Sequence, residues 1–233
     1  MLILERETMI SILCPSRGRP ELAKRMIDSA LSKATNEIEI LLYLNIDDPK
    51  LPEYQQLIDS KYYTVGPDRS PGYSWNMLAD TATSDILFLI GDDADFVTEG
   101  WDQQIINKFD EIPDKIACVY PIQYTVSKYK NPHFCLHRNW INELGYFVPP
   151  HFWHWYVDTW TAHIARGLNR YYCLENVEVA IQTRLLDETE QRTSNFCNRE
   201  RDRWMWAKTQ RYLQLDMDIL KEYIDNYKEE EVE

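Results

Sequence analysis

The stretch DILFLIGDDADF, residues 85–96, runs five consecutive apolar residues, Ile86 to Ile90, into a glycine and then sets three carboxylates within four positions, at Asp92, Asp93 and Asp95. An apolar run this short reads as a strand buried on both faces, the pattern of a parallel sheet covered by helices. Like charges at the end of such a strand repel one another unless a cation or solvent compensates them. Converging carboxylate oxygens suit a hard divalent ion, and an ion held this way can stabilise a diphosphate leaving group. A solvated acidic turn is the competing reading, and for an isolated DxD it is the commoner one.

Upstream of this stretch, strand-like and helix-like segments alternate. Residues 9–14, MISILC, read as a strand stopped by Pro15. Pro20 suits the first turn of a helix whose apolar stripe is Leu22, Met26, Ile27, Ala30 and Leu31. A second strand is expected at 38–44, a short helix near 52–60, a third strand at 62–65 and a helix near 73–83, with the loop GPDRSPG between the last two. Alternation of this kind implies βαβ units and a mainly parallel sheet flanked by helices. Ligands of such sheets bind at the carboxyl ends of the strands, which puts GDDAD at the mouth of the sheet.

Downstream, residues 116–121 and 133–138 read as strands and NWINELG as a short helix closed by Gly145. YFVPPHFWHWYVDTW is an aromatic loop running into a helix that ends near Arg166, RYYCLENVEVAI suggests a hairpin, and two helices finish the chain. The expected arrangement is one compact α/β unit. A nucleotide half occupies about 1–100 and an acceptor half about 101–195, with a helical extension over 196–233.

The 233 residues are 44% hydrophobic and 13% aromatic, enough for a sizeable core. No run approaches the roughly 18 apolar residues of a membrane helix. Glu5, Arg6 and Glu7 interrupt the opening segment, so it lacks a signal-peptide apolar region. The expected location is cytoplasmic. Five scattered cysteines without a CxxC pair argue against a disulfide framework or structural zinc site. A net charge of −13 disfavours non-specific nucleic-acid binding over most of the surface, although residues 184–211 hold seven Lys or Arg against five Asp or Glu, enough for a local basic track.

Phe152, Trp153, Trp155, Tyr156 and Trp160 fall within nine residues. Aromatic faces suit sugars or bases, and core packing accounts for at least half of such residues. Asp158, set among them, is expected to be desolvated, which raises a carboxylate pKa and makes it a better base. Its alternative role is a carboxylate at a helix N-terminus. His151, His154 and His163 lack an HExxH pattern and read as loop or core residues.

Taken in order, these segments resemble the family 2-like glycosyltransferases with the GT-A fold, in the nucleotide-diphospho-sugar transferase superfamily. TATSDILFLIGDDADFVTEGWDQQI resembles the family's DxD region and ISILCPSRGRPELAKRMIDSAL its opening strand, turn and helix. YLNIDDP falls where the family carries an aspartate for the base, GYSWNMLADTATSD resembles its asparagine-bearing helix, and WYVDTWTAHIARG occupies the place of the acceptor-side acid. The resemblance implies a glycosyltransferase acting on a nucleotide diphosphate sugar, a UDP-sugar by preference, with inversion and with Mn²⁺ or Mg²⁺. It implies that Pro15, Ser16, Arg17, Asp47, Asp48, Asn76 and Asp92 meet the nucleotide sugar, and that Asp93 and Asp95 bind metal. Asp158 is then the catalytic base, and Trp153, Trp155 and Trp160 face the acceptor. The family's metal- or phosphate-binding histidine after the late strand is missing from VEVAIQTRLLDETEQRT, leaving Arg184, Arg192 or Arg199 as sources of positive charge.

Two other readings stand beside this one. LFLIGDDADFV also fits a haloacid-dehalogenase-type phosphatase using Asp93 and Asp95, and a non-catalytic nucleotide-sugar-binding protein needs no base at all. Nucleotidyl transfer is weaker, because CPSRGRP lacks a glycine-rich loop. The acceptor is open among a saccharide, a lipid-linked sugar, a protein and a modified DNA base, and so is the oligomeric state.

Overall fold

Hydrophobic residues on strands β1 (Ile10–Ser16) and β4 (Ile86–Leu89) alternate between two cores, one on each face of the sheet. Ile10, Ile12, Cys14, Ile86, Phe88 and Ile90 join one core, and Leu13, Leu87 and Leu89 the other. This double burial is why residues 86–90 carry no polar side chain. The computed structural model describes residues 10–123, 133–181 and 187–230.

Helix α1 (Pro20–Lys33) follows β1, then β2 (Glu39–Asn45), α2 (Leu51–Leu57), β3 (Tyr63–Gly66), α3 (Pro71–Thr81) and β4. A three-residue strand, β5 (Ala94–Phe96), comes straight after the acidic turn, and α4 (Trp101–Asp110) after it. The second half contains β6 (Cys118–Ile122), β7 (Phe134–His137), α5 (Arg138–Leu144), α6 (Val157–Gly167), β8 (Tyr171–Ile181), α7 (Glu188–Thr193) and α8 (Phe196–Glu230). The strands form one sheet in the order β3-β2-β1-β4-β7-β6-β8-β5. The β3-β2-β1-β4 half is parallel. Beyond it β7 runs antiparallel to both β4 and β6, β8 parallel to β6, and β5 antiparallel to β8. The sheet is therefore parallel across β3, β2, β1 and β4 and mixed elsewhere.

One expectation is corrected. RYYCLENVEVAI is not a hairpin but the single eleven-residue strand β8. Its first part pairs with β6 and its last part with β5, with a register irregularity between Pro121 and Ile122 of the partner. Sequence offers the turn-like Glu175-Asn176, but the two available edges lie end to end, so the chain continues straight.

Helices α1 and α4 cover one face, with Met26, Ile27, Trp101, Ile105 and Phe109 buried. Helices α3, α5, α6 and α8 cover the other, where Trp75, Trp140, Trp160, Leu220 and Ile224 are buried. Helix α8 is fixed to this face by Asp216, whose carboxylate accepts from the Trp160 indole at 2.9 Å and from the Tyr146 hydroxyl. Cys14, Cys118, Cys135 and Cys173 are free thiols. No helix among the described residues is long and apolar enough to cross a membrane.

Candidate active site

Strands β1 and β4 end side by side, and a cavity of about 260 Å³ opens at their carboxyl ends. Its wall is built by the end of β1 (Pro15, Ser16) and the turn after it (Arg17, Arg19), the acidic turn after β4 (Gly91, Asp92, Asp93), the start of α3, the loop at Trp153 and His154, and helix α7. Two glycines make the walls possible. Gly18 turns the chain at φ +71°, and a side chain at Gly91 would sit 2.7 Å from an Asp93 oxygen and 3.2 Å from His133.

The two central aspartates differ. Asp92 is buried, accepting from the Ser16 hydroxyl at 2.7 Å and from Arg19 at 3.1 Å. Burial pushes its pKa up to about 6, against the opposing charge of Arg19. Asp93 lines the cavity, and no side chain among the described residues hydrogen-bonds or ion-pairs with its carboxylate. Burial raises its pKa as well, again opposed by Arg19. Asp95 lies on β5, where alternation turns it away from the cavity wall, with Arg25 of α1 at 3.9 Å. Asp93 and Asp95 therefore do not converge as a dehalogenase-type pair.

Among the described residues four arginines line the cavity: Arg17, Arg19, Arg69 and Arg192. Arg17 pairs with Asp47 at 2.7 Å, Arg19 also reaches Asp187 at 2.7 Å, and Arg192 pairs with Asp68. Arg69 lies over the Tyr73 ring at 5.5 Å and has no carboxylate partner among the described residues. The Arg19–Asp187 and Arg192–Asp68 pairs strap α7 across the cleft, helped by Thr189, whose hydroxyl donates to the Arg17 carbonyl at 2.6 Å. The floor is also polar. Trp75 Nε1, His133 Nδ1 and His154 Nδ1 are buried without hydrogen-bond partners among the described residues, and all three residues line the cavity. Burial holds His133 down to about 4 and lowers His154, so both rings are neutral near pH 7. His133 Nε2 accepts from the Gly91 amide at 3.0 Å, which assigns its proton to Nδ1. An unpartnered buried polar atom costs about 1–3 kcal/mol, so a ligand offering polar atoms here recovers that cost.

The remaining sequence-singled residues fall elsewhere. Asp48 is buried, accepting from the Gly18 amide at 2.7 Å and the Lys50 amide at 2.9 Å, in a second hollow of about 220 Å³ that shares Arg17, Thr189 and Arg192 with the cavity. Asn76 clamps the loop after α5: its amide donates to Val148 O at 2.8 Å and its oxygen accepts from the Phe147 and Val148 amides. Asp158, in the first turn of α6, does not line the cavity. Trp153 does, whereas Trp155 donates to the Thr193 carbonyl beneath Arg199 and Trp160 is core. Arg184 lies outside the described residues.

Sequence reasoning missed Arg19, Arg69, Trp75, His133, His154 and Glu190 as cavity residues. Arg19 carried a signal, being two residues from Arg17 in the same turn. His133 carried none, because only the antiparallel pairing of β7 with β4 brings it to Gly91. Among the described residues no group of three His, Cys, Asp or Glu gathers in metal-binding geometry.

No protein-family profile and no curated protein matches the chain. Solved structures do. A mannosyltransferase from Pyrobaculum calidifontis, PcManGT, in complex with GDP-Man and Mn²⁺, superposes with a TM-score of 0.67 at 12% identity, over 89% of this chain and 65% of that one. This is a GT-A fold. S. aureus TarS 1–349 in complex with UDP gives 0.55 at 11% identity over 74% of this chain and 60% of that one. Its complex with UDP-GlcNAc gives 0.56 at 10% identity over 79% and 61%. The chain thus spans less than two thirds of the length of each of these GT-A proteins.

Proposed function

We propose that this protein is a glycosyltransferase that moves a sugar from a nucleotide diphosphate sugar, a UDP-sugar by preference, to an acceptor hydroxyl with inversion. The observation that carries the reading is the cavity at the β1 and β4 ends, with four arginines on its walls and three polar groups on its floor that have no partner among the described residues. Guanidinium groups suit diphosphate oxygens, and the indole and imidazole groups suit sugar hydroxyls. In this reading Pro15, Ser16 and Arg17 lie against the nucleotide, and Asp47 or Asp48 reads the base at the adjoining hollow. Trp75, His133 and His154 hold the sugar, and Trp153 bounds the acceptor side.

Asp93 is the one acid of the acidic turn whose carboxylate is uncommitted. That donor set fits a Mn²⁺ or Mg²⁺ ion that enters with the diphosphate, since Mg²⁺ commonly takes one or two carboxylates plus substrate phosphates. When bound, such an ion neutralises charge on the leaving diphosphate. Removal of the acceptor proton is assigned to Glu190, which lines the cavity and whose second oxygen is free of the Ser194 hydroxyl bond, rather than to Asp158, which does not line it. General-base loss costs roughly two to four orders of magnitude in turnover.

Calorimetry with UDP- and GDP-sugars, with and without Mn²⁺, tests donor binding. Glu190→Gln and Asp158→Asn, assayed once an acceptor is in hand, then test the base. No binding of any nucleoside diphosphate or its sugars overturns the reading. Turnover lost in Asp158→Asn and retained in Glu190→Gln returns the base to Asp158.

A further inference from the structure

Helix α8 has a solvent face unlike the rest of the molecule. Acids outnumber bases 38 to 25 in the chain, yet residues 203–215, between Asp202 and Asp216, contain no acid and include Arg203, Lys208 and Arg211. At helical spacing Arg201, Trp204, Lys208, Arg211, Tyr212 and Leu215 share one side, and all six are exposed. Trp204 is 59% exposed and Tyr212 43%, with Lys208 Nζ 5.7 Å from the Trp204 ring centre and the Arg211 guanidinium 4.8 Å from that of Tyr212. Neither Lys208 nor Arg211 has a carboxylate partner among the described residues, whereas Arg201 sits 3.6 Å from Asp202 and Arg203 3.7 Å from Glu200. The opposite side of the helix packs into the core through Leu213, Met217, Leu220 and Ile224.

We propose that this face docks a single-stranded nucleic acid, and, resting on the glycosyltransferase reading above, that this strand presents the acceptor. Three observations select that partner. Unpaired cations on an acidic protein make a local site for a polyanion. Exposed rings interleaved with those cations are the combination that stacks bases while holding phosphates. The face also leads to the cleft: Asp202, fully buried at the start of the track, accepts from the Trp153, His154 and Trp155 amides at 2.8, 2.8 and 2.9 Å. The helix bearing the track is thereby fixed to the loop whose Trp153 and His154 line the cavity. A lipid surface fits less well, because an interfacial helix needs a continuous apolar face, and here the charged Lys208 and Arg211 lie among the exposed Trp204, Tyr212 and Leu215.

The test is fluorescence anisotropy of the full chain with a labelled oligothymidylate, run beside polyphosphate competition and phosphatidylserine vesicles. Three or four phosphate contacts predict that affinity falls about twenty- to fifty-fold between about 50 and 200 mM salt. Trp204→Ala is expected to weaken oligothymidylate binding roughly tenfold, and Lys208→Glu with Arg211→Glu to abolish it. Circular dichroism and UDP calorimetry should be unchanged in every variant, since none of these residues lines the cavity. No oligothymidylate binding, binding insensitive to Trp204, or capture by vesicles instead overturns the docking proposal. Donor binding that persists in those cases leaves the glycosyltransferase reading standing. Oligothymidylate binding by a protein that binds no nucleotide sugar would overturn the glycosyltransferase reading and the acceptor role that rests on it, and leave the docking proposal standing.

Discussion

Asp202→Ala probes how the cleft is held. The Asp202 carboxylate is fully buried and accepts three consecutive backbone amides, Trp153 at 2.8 Å, His154 at 2.8 Å and Trp155 at 2.9 Å. Alanine leaves three donors without their acceptor. Each unsatisfied buried donor costs about 1–3 kcal/mol. These amides are only partly buried, so water can reach some of them, and the low end of the range applies. The expected loss is about 3 kcal/mol, or roughly 6–12 °C in melting temperature for a domain of this size. Asp202→Asn keeps one acceptor oxygen and turns an NH₂ toward an amide donor, so it should fall between wild type and alanine. Because Trp153 and His154 line the cavity, nucleotide-sugar affinity should also fall in the alanine variant. Urea unfolding gives the stability change and calorimetry the affinity. Stability within about 0.5 kcal/mol of wild type, the scatter of ordinary surface substitutions, would refute the reasoning.

Asp93→Asn should leave stability unchanged or slightly higher, since burial already disfavours the charge at that site. It should weaken Mn²⁺ binding measured with UDP present at least tenfold, and an unchanged titration would remove Asp93 from the ion's shell. The α7 strap should be acid-sensitive. Its hydrogen bond to Arg19 holds Asp187 below the ordinary carboxylate range. A folded pKa below the unfolded one means the contribution is complete above about pH 4 and lost as pH falls below it. Hydrogen-exchange protection of residues 187–195, corrected for intrinsic rate, should therefore drop by pH 3, and equal protection at pH 3 and pH 6 would show that the pair does not hold the strap.

The local pattern of residues 10–90 settled most of the first half of the fold. Apolar runs ended by NIDDPK and by Gly91 marked strand ends, whereas Pro15 does not stop β1, which continues to Ser16 alongside β2. Alternation of strands with the stripe of α1 marked a parallel sheet, and the carboxyl-end rule then put Asp92 and Asp93 at the mouth of the sheet, where the cavity opens. These signals are short-range, set by periodicity and turn chemistry, so a single sequence carries them. The second half resisted because its strands are defined by their partners. The three residues of β5 become a strand only beside β8, and β8 runs straight only because β6 and β5 offer it consecutive edges. Division of labour among Asp92, Asp93 and Asp95 was equally invisible. Asp92 is committed by Ser16 and Arg19 from 73 or more positions away, Asp95 is turned aside by the pleat of β5, and Asp93 alone faces the cavity uncommitted. His133 and Glu190 joined the site through pairings and ion pairs spanning much of the chain. Local sequence decides which elements form, because their hydrogen bonds and apolar faces are local. Which side chains meet depends on contacts between distant segments, and only the packed sheet and its strap decide that.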